Sequence, residues 1–326
     1  MTGLIMAVDT TPPRGSASVL TILGPTASGK SSLALDVAQA FNGTIINADS
    51  MQIYRDLRLV TARPSAEEEA QCPHRLYGIL DGADVCDAQR WRDRAEAAIR
   101  EALDAGRLPI LTGGTGFYIK AMVEGLSPMP DIPDPVRRAV RARVADEGAD
   151  VMHRHLGEID PKAAARIAPA DRQRIARALE VFEASGKPLS AWQAEPPPGP
   201  PPGLRFPTIV LAPPRAALVA RIERRFEAMI DAGALAEVEA MMQAGLPPDA
   251  PILKAVGAPE LAQLVQGNWS QADAIEAAVI ATRQYAKRQT TWLRRQIIPD
   301  LVINAQHSQK TIDEIFAFIR VNALTP

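Results

Sequence analysis

The chain has 326 residues and a formal charge of −2, from 36 Lys plus Arg against 38 Asp plus Glu; this excludes a uniformly basic nucleic-acid coat but allows local basic patches. Hydrophobic residues at 47% and charged residues at 23% exclude wholesale disorder, and at about 150 residues per domain the length predicts two domains or one core with a large insertion. No apolar run approaches the ~18 residues of a membrane span, and the first 17 residues hold no signal-peptide apolar region. Cys72 and Cys86 are too few for a disulfide framework and are not spaced as a zinc site. A cytoplasmic protein without a membrane anchor is the expectation, and nothing in the sequence demands more than a monomer.

In chain order, residues 1–16 read as a disordered leader with turn chemistry and no apolar period. Residues 18–23 (SVLTIL) are β-branched and continuously apolar, the pattern of a strand buried on both faces. A glycine loop follows, then a helix over 31–41, a strand over 44–48 and another over 108–112. Strand patterns then vanish from about 126 to 195, where helical spacing recurs over 135–148 and 161–185. Residues 196–202 contain six prolines and predict an extended surface connection. Strands return at 207–212 and 301–304, with helices over 221–242 and 271–297. The expected fold is α/β, a P-loop NTPase-like parallel sheet flanked by helices, with an inserted all-α domain. Its boundaries are a core of 17–125 and 204–306, an insertion over 126–195, the proline-rich connection over 196–203, and a C-terminal helix or tail over 307–326.

The strongest motif is Gly24-Pro25-Thr26-Ala27-Ser28-Gly29-Lys30-Ser31, which fits G-x-x-x-x-G-K-[ST] between a strand and a helix. Glycines let backbone N–H groups turn inward as an anion nest, and the helix N-terminus adds positive potential. Lys30 offers a point charge to a phosphate and Ser31 a hydroxyl to Mg2+. The loop therefore predicts binding of a di- or triphosphate. No strand ends in an obvious Walker B acid; the nearest is Asp49 after Ile45-Ile46-Asn47-Ala48. At a strand's C-terminal end Asp49 is placed to ligate metal, to act as base or acceptor toward a second substrate, or to cap the next helix.

With Asp49-Ser50-Met51-Gln52-Ile53-Tyr54 the chain resembles the tRNA dimethylallyltransferase (tRNA isopentenyltransferase) family. The resemblance runs on through Thr61-Ala62-Arg63-Pro64, Pro73-His74-Arg75-Leu76, and Gly113-Gly114-Thr115-Gly116-Phe117-Tyr118-Ile119-Lys120. It continues over 171–180, at Arg221-Ile222-Glu223-Arg224-Arg225-Phe226, and over 282–294. It implies transfer of a dimethylallyl group from dimethylallyl diphosphate to N6 of the adenosine 3′ of a tRNA anticodon. On that reading the P-loop grips the diphosphate, Arg225 completes the clamp with Arg221 one turn away, Asp49 takes the N6 proton and Thr115 touches substrate. Ser50, Met51 and Gln52 would hold the extruded base or its neighbour.

The same resemblance gives the basic segments a use. Arg283, Lys287 and Arg294 fall on one helix face with Arg288 and Arg295 on an adjacent stripe, in a stretch from 283 to 295 without an acid. It implies that these, with Arg137 and the run Gln173-Arg174-Ile175-Ala176-Arg177, contact the tRNA anticodon stem-loop. Tyr285 and Trp292 read as core. The chain departs from the family pattern at Val60 in place of Gly, at Arg63 in place of Lys, and at Ala255-Val256-Gly257-Ala258-Pro259-Glu260 in place of Gly-Tyr and a charged helix start. Three other readings remain: an isopentenyltransferase on free adenine nucleotides, a P-loop nucleoside or nucleotide kinase, and a tRNA-binding protein using the P-loop as a sensor.

Overall fold

The computed structural model describes residues 16–304 and 309–322. The leader expectation falls, save for Ser16, outside these residues. Packing divides the chain into Glu124–Gly199 and a unit built from what precedes and follows it.

The larger unit is a six-stranded parallel sheet. Among the described residues eight strands form: β1 (Ala17–Ser18), β2 (Leu20–Leu23), β3 (Gly43–Asn47), β4 (His74–Arg75), β5 (Leu108–Gly113), β6 (Leu204–Arg205), β7 (Thr208–Leu211) and β8 (Leu301–Ile303). The sheet order is β4-β3-β5-β2-β7-β8, while β1 and β6 pair separately. Every residue of β2, β3, β5 and β7 is buried, as continuous apolar strands covered by helices on both faces require. Leu20, Ile22, Ile45, Ile110 and Ile209 meet Leu33, Ala34 and Val37 of the P-loop helix (Lys30–Ala40) in one core.

The predicted strands fall within about a residue of those observed, but the run at 18–23 splits, because Val19 separates the β1 pairing with β6 from the sheet strand β2. Helix 221–242 is also divided. An arginine-bearing helix (Arg215–Asp231) ends at Ala232, and Gly233, at φ +99°, starts the next (Ala234–Gln243), because only glycine takes that conformation at little cost. The long helix (Gln271–Gln296) begins under the Ser270 side chain, which accepts from the Asp273 N–H. A helix over Gln309–Asn322 closes the described chain.

Glu124–Gly199 has its own core: Val140 and Val144 from Asp134–Asp146, Met152 and Leu156 from Ala149–Ile159, and Ile175, Leu179 and Val181 from Arg172–Ser185. The helix at Ala149–Ile159 lies outside the predicted helical segments, and 161–185 is interrupted between Ala164 and Arg172.

Candidate functional site

The sheet order decides the site. In a parallel sheet, ligands gather at the C-terminal edge. There β5 lies between β3 and β2. Three loops therefore meet side by side: the one after β3 carrying Asp49, the one after β5 carrying Thr115, and the P-loop after β2.

The P-loop is shaped by two left-handed residues, Ala27 at φ 61° and Gly29 at φ 94°. Gly29 is the N-cap of the following helix, so the N–H groups of its first turn face the loop's concavity. Pro25 accepts from the Ser28 N–H at 3.1 Å and from the Lys30 Nζ at 3.4 Å. Burial pushes the Lys30 ammonium down to about 8; Asp49 opposes the fall and Arg225 adds to it. Burial also lowers Arg225, to about 10, against the pull of Asp49, so it stays charged at neutral pH. Ser31 is exposed in the first helical turn.

The arginine-bearing helix closes over this loop. Arg221 Nη1 donates to the carbonyls of Ser28 at 3.1 Å and Ala27 at 3.4 Å, and Arg225 Nη1 to the Thr26 hydroxyl at 3.3 Å. The two guanidiniums one turn apart thus do meet the P-loop.

Asp49 is fixed by its neighbours. Its N–H donates to Asn47 Oδ1 at 2.8 Å, and its Oδ1 accepts from the Met51 N–H at 2.9 Å, an Asx turn. No helix follows directly, so Asp49 caps a turn and leaves its other oxygen beside Gly114, where a Cβ would come within 3.1 Å of it. Thr115 Oγ1 accepts from the Ser50 N–H at 2.9 Å and donates to the Ser50 hydroxyl at 3.2 Å, tying the β5 loop to the β3 loop. Both Nε2 hydrogens of Gln52 go to the carbonyls of Thr61 and Ala62, at 2.9 and 2.7 Å.

A residue with no role in the sequence reading locks these loops together. Gln289, buried in the long helix, accepts from the Thr26 N–H at 2.8 Å and donates to the Gly114 carbonyl at 2.9 Å. A side chain at Gly114 would stand 2.2 Å from its Nε2. Glu237 is a second. Its carboxylate accepts from the Arg58 N–H, from Leu59 at 2.9 Å and from Val60 at 3.0 Å. The only sequence signal for either is a polar residue on an otherwise apolar helix stripe.

Beside the P-loop opens a cavity of about 200 Å³. Thr26, Asp49 and Arg225 line its polar part, and Met51, Val60, Ile222, Phe226, Met229 and Val256 much of its apolar part. Tyr285, expected in the core, lines this cavity too, and its hydroxyl is raised first by burial and then by the Asp49 charge. Trp292 does pack inward, its ring within 2.1 Å of where a Cβ on Gly116 would stand.

The basic residues differ in their surroundings. Arg283, Lys287, Arg288 and Arg294 are exposed, and among the described residues none pairs with a carboxylate; Arg288 lies 5.6 Å over the Tyr285 ring. In Glu124–Gly199 several arginines are paired: Arg141 and Arg177 with Glu180, Arg143 with Glu147 and Glu183, Arg137 with Asp134, and Arg174 with Asp171. Ile175 and Ala176 are buried in that unit's core, which corrects their expected placing at a tRNA surface and leaves Gln173, Arg174 and Arg177 as the exposed positions.

Among the described residues no group of three His, Cys, Asp or Glu could hold a metal, and no helix is long and apolar enough to cross a membrane.

A family model described as IPP transferase matches residues 52–296. A tRNA dimethylallyltransferase of Rhodospirillum rubrum is 47% identical over 322 residues, covering 98% of this chain and 99% of that protein. One from Azorhizobium caulinodans is 54% identical over 282 residues, covering 86% and 89%. Among solved structures, the full-length tRNA isopentenylpyrophosphate transferase of Bacillus halodurans aligns with TM-score 0.66 at 32% identity over 94% of this chain and 97% of that one. A eukaryotic dimethylallyltransferase acting on tRNA aligns with TM-score 0.77 at 26% identity over 94% and 80%. With the matched segment holding both locking residues, Gln289 and Glu237, and all of the cavity wall from Val60 onward, the chain belongs to the IPP transferase family.

Proposed function

We propose that this protein transfers a dimethylallyl group from dimethylallyl diphosphate to N6 of the adenosine immediately 3′ of the anticodon in tRNA, releasing pyrophosphate. The observation that carries the reading is the two-natured cavity. Thr26 of the phosphate-binding loop and Arg225 share its lining with the apolar side chains of Met51, Val60, Ile222, Phe226, Met229 and Val256. A five-carbon chain on a diphosphate matches both.

In the reaction the allylic C–O bond breaks and its electron pair leaves on the diphosphate. Lys30, Arg225 and the N–H groups of the P-loop stand where that charge grows, which lowers the barrier more than it tightens substrate binding. Arg221 braces the loop through the Ala27 and Ser28 carbonyls. The adenine N6 attacks the allylic carbon, a C–N bond forms, and Asp49 accepts the N6 proton. Thr115 and Ser50, hydrogen-bonded to each other, hold the Asp49 loop in register. The donor set for Mg2+ is a single exposed hydroxyl, Ser31, which suits an ion that keeps most of its water and binds through substrate phosphates. When bound there it would neutralise charge on the leaving group.

For tRNA, the uncompensated Arg283, Lys287, Arg288 and Arg294 are the best-supported contacts. Cations without a carboxylate partner among the described residues are free to replace the counterions of phosphate. Gln173, Arg174, Arg177 and Arg137 would join them, each arginine first giving up an acidic partner. A base must leave the anticodon loop's stack to reach Asp49.

The test is transfer of label from radiolabelled dimethylallyl diphosphate to unmodified tRNA, to AMP and ATP, and to tRNA with a Lys30→Ala protein. Label in tRNA alone, lost in the variant, is expected. Label in free nucleotide would replace tRNA as the acceptor, and none anywhere would return the kinase reading.

A further inference from the structure

The cavity has a direction. Along the arginine-bearing helix, Arg221 reaches the P-loop carbonyls, Arg225 reaches Thr26 one turn later, and Met229 follows after another turn. At 1.5 Å per residue Met229 lies about 12 Å along the axis from Arg221. Ile222, Phe226 and Met229 recur at helical spacing and all line the cavity. The wall thus passes from guanidinium to hydrocarbon as it leaves the phosphate loop.

Phe226 and Met229 are the cavity-lining residues of this helix farthest from Arg221, and they differ in how freely they can yield. Phe226 is backed by Gly257, whose φ of +96° suits glycine; a Cβ there would stand 2.7 Å from the ring's Cζ. The ring cannot retreat toward that segment. Met229 is buried, unbranched and lies farther along, with Ala234 and Val238 of the next helix also buried beyond the turn. From these positions we infer that Met229, against a Phe226 fixed by Gly257, sets the length of the allylic chain that this protein accepts, restricting it to five carbons.

The inference rests on the proposed prenyl transfer and makes it specific. A ten-carbon donor such as geranyl diphosphate carries the same reacting C–O bond and the same leaving group. Only its tail is longer, by about one helical turn, and that extra length is directed at Met229. Shortening this side chain turns the end of the arm into space, while a bulkier ring there fills space that a five-carbon tail needs.

The experiment compares kcat/KM for dimethylallyl and geranyl diphosphate, with tRNA as acceptor, in the native protein and in Met229→Ala. The variant is expected to raise the geranyl-to-dimethylallyl ratio at least about tenfold, the scale on which hydrophobic pockets discriminate chain length. Val60→Ala, which widens the wall without lengthening the arm, is expected to leave the ratio within about threefold. Met229→Phe, read alongside in case the alanine variant folds poorly, should raise KM for dimethylallyl diphosphate about tenfold and leave binding of inorganic pyrophosphate unchanged by calorimetry. A native protein that uses both donors equally overturns the inference, as does a Met229→Ala protein that keeps dimethylallyl transfer without gaining geranyl transfer. If the native protein transfers neither group, the proposed function itself falls and the inference with it.

Discussion

Gln289 should matter to both folding and ligand binding. In Gln289→Leu the side chain keeps its volume but can no longer accept from Thr26 or donate to Gly114. The Gly114 carbonyl is buried, so its loss counts as an unsatisfied group, about 1–3 kcal/mol. Thr26 is half-buried, so water can take up part of its N–H and the added cost is about 1 kcal/mol. Together the substitution should destabilise the fold by about 2–4 kcal/mol, read as a fall of about 1 M in the urea midpoint at an unchanged slope. The second effect is local. Thr26 lies at the tip of the phosphate loop, and releasing it should weaken pyrophosphate binding about tenfold, or about 1.4 kcal/mol. Gln289→Glu separates the two halves, since it keeps the acceptor for Thr26 while setting a carboxylate against the Gly114 carbonyl. It should be at least as unstable as the leucine variant. A leucine variant with native midpoint and native pyrophosphate affinity would refute the reasoning.

Three further outcomes follow from the same geometry. The Lys30 ammonium falls from 10.5 in the unfolded chain to about 8 in the fold, so between those values the unfolded chain holds a proton that the folded one has lost. Its penalty on the folded state is therefore relieved as pH rises through that window, whereas pyrophosphate binding, which needs the cation, should weaken above about pH 8 with proton uptake on binding; calorimetry in buffers of different ionisation enthalpy checks this, and Lys30→Ala should abolish the uptake. Glu237→Ala leaves the backbone N–H groups of Arg58, Leu59 and Val60 without their carboxylate and should cost about 2–3 kcal/mol, with Glu237→Gln recovering part of it in urea unfolding. Removing Lys287 and Arg288 together should lower the slope of log tRNA affinity against log salt by about 1–2, and an unchanged slope would remove that helix from the interface.

Much of the sheet was legible because its central strands are buried on both faces and read as unbroken apolar runs. His74–Arg75 was not, since two polar residues pairing with Ile45 and Ile46 at the sheet's edge carry no pattern of their own. Gly233 was visible as a glycine inside a helical pattern, but a lone glycine is compatible with both a continuous helix and a break, and only its positive φ decides. The P-loop and Asp49 were legible as chemistry-bearing residues following strands, and Thr115 through the family resemblance. The cavity was not. Val60, Ile222, Phe226, Met229 and Val256 come from separate segments, and an apolar stripe on a helix has the same period whether it meets core or ligand. Tyr285 was read as core for that reason. Gln289 sat in a basic run, where its place on the buried stripe with Ala286 and Leu293 was the one signal, and its bonds to Thr26 and Gly114 come from distant segments.

The charges of the site suggest how its empty and loaded states are related. Lys30 and Arg225 are both held below their ordinary values by burial, and Asp49 offsets part of that cost in each. In the empty site Asp49 is thus the counter-ion of the two cations. A diphosphate entering the loop takes over that task with more negative charge than Asp49 supplies, and the carboxylate then faces an added anion rather than bare cations. The same argument makes an unusual demand on Asp49→Asn. Removing the resident anion should tighten pyrophosphate binding, by about two- to fivefold for a partly screened unit charge, because the cations have lost a competitor. Transfer should meanwhile fall by about 10²–10⁴ through loss of the base. Opposite movement of the two quantities is the signature, measured by calorimetry with pyrophosphate and by single-turnover label transfer to tRNA. If binding and transfer decline in step, Asp49 serves the fold of the loop, and the proton must be taken up elsewhere.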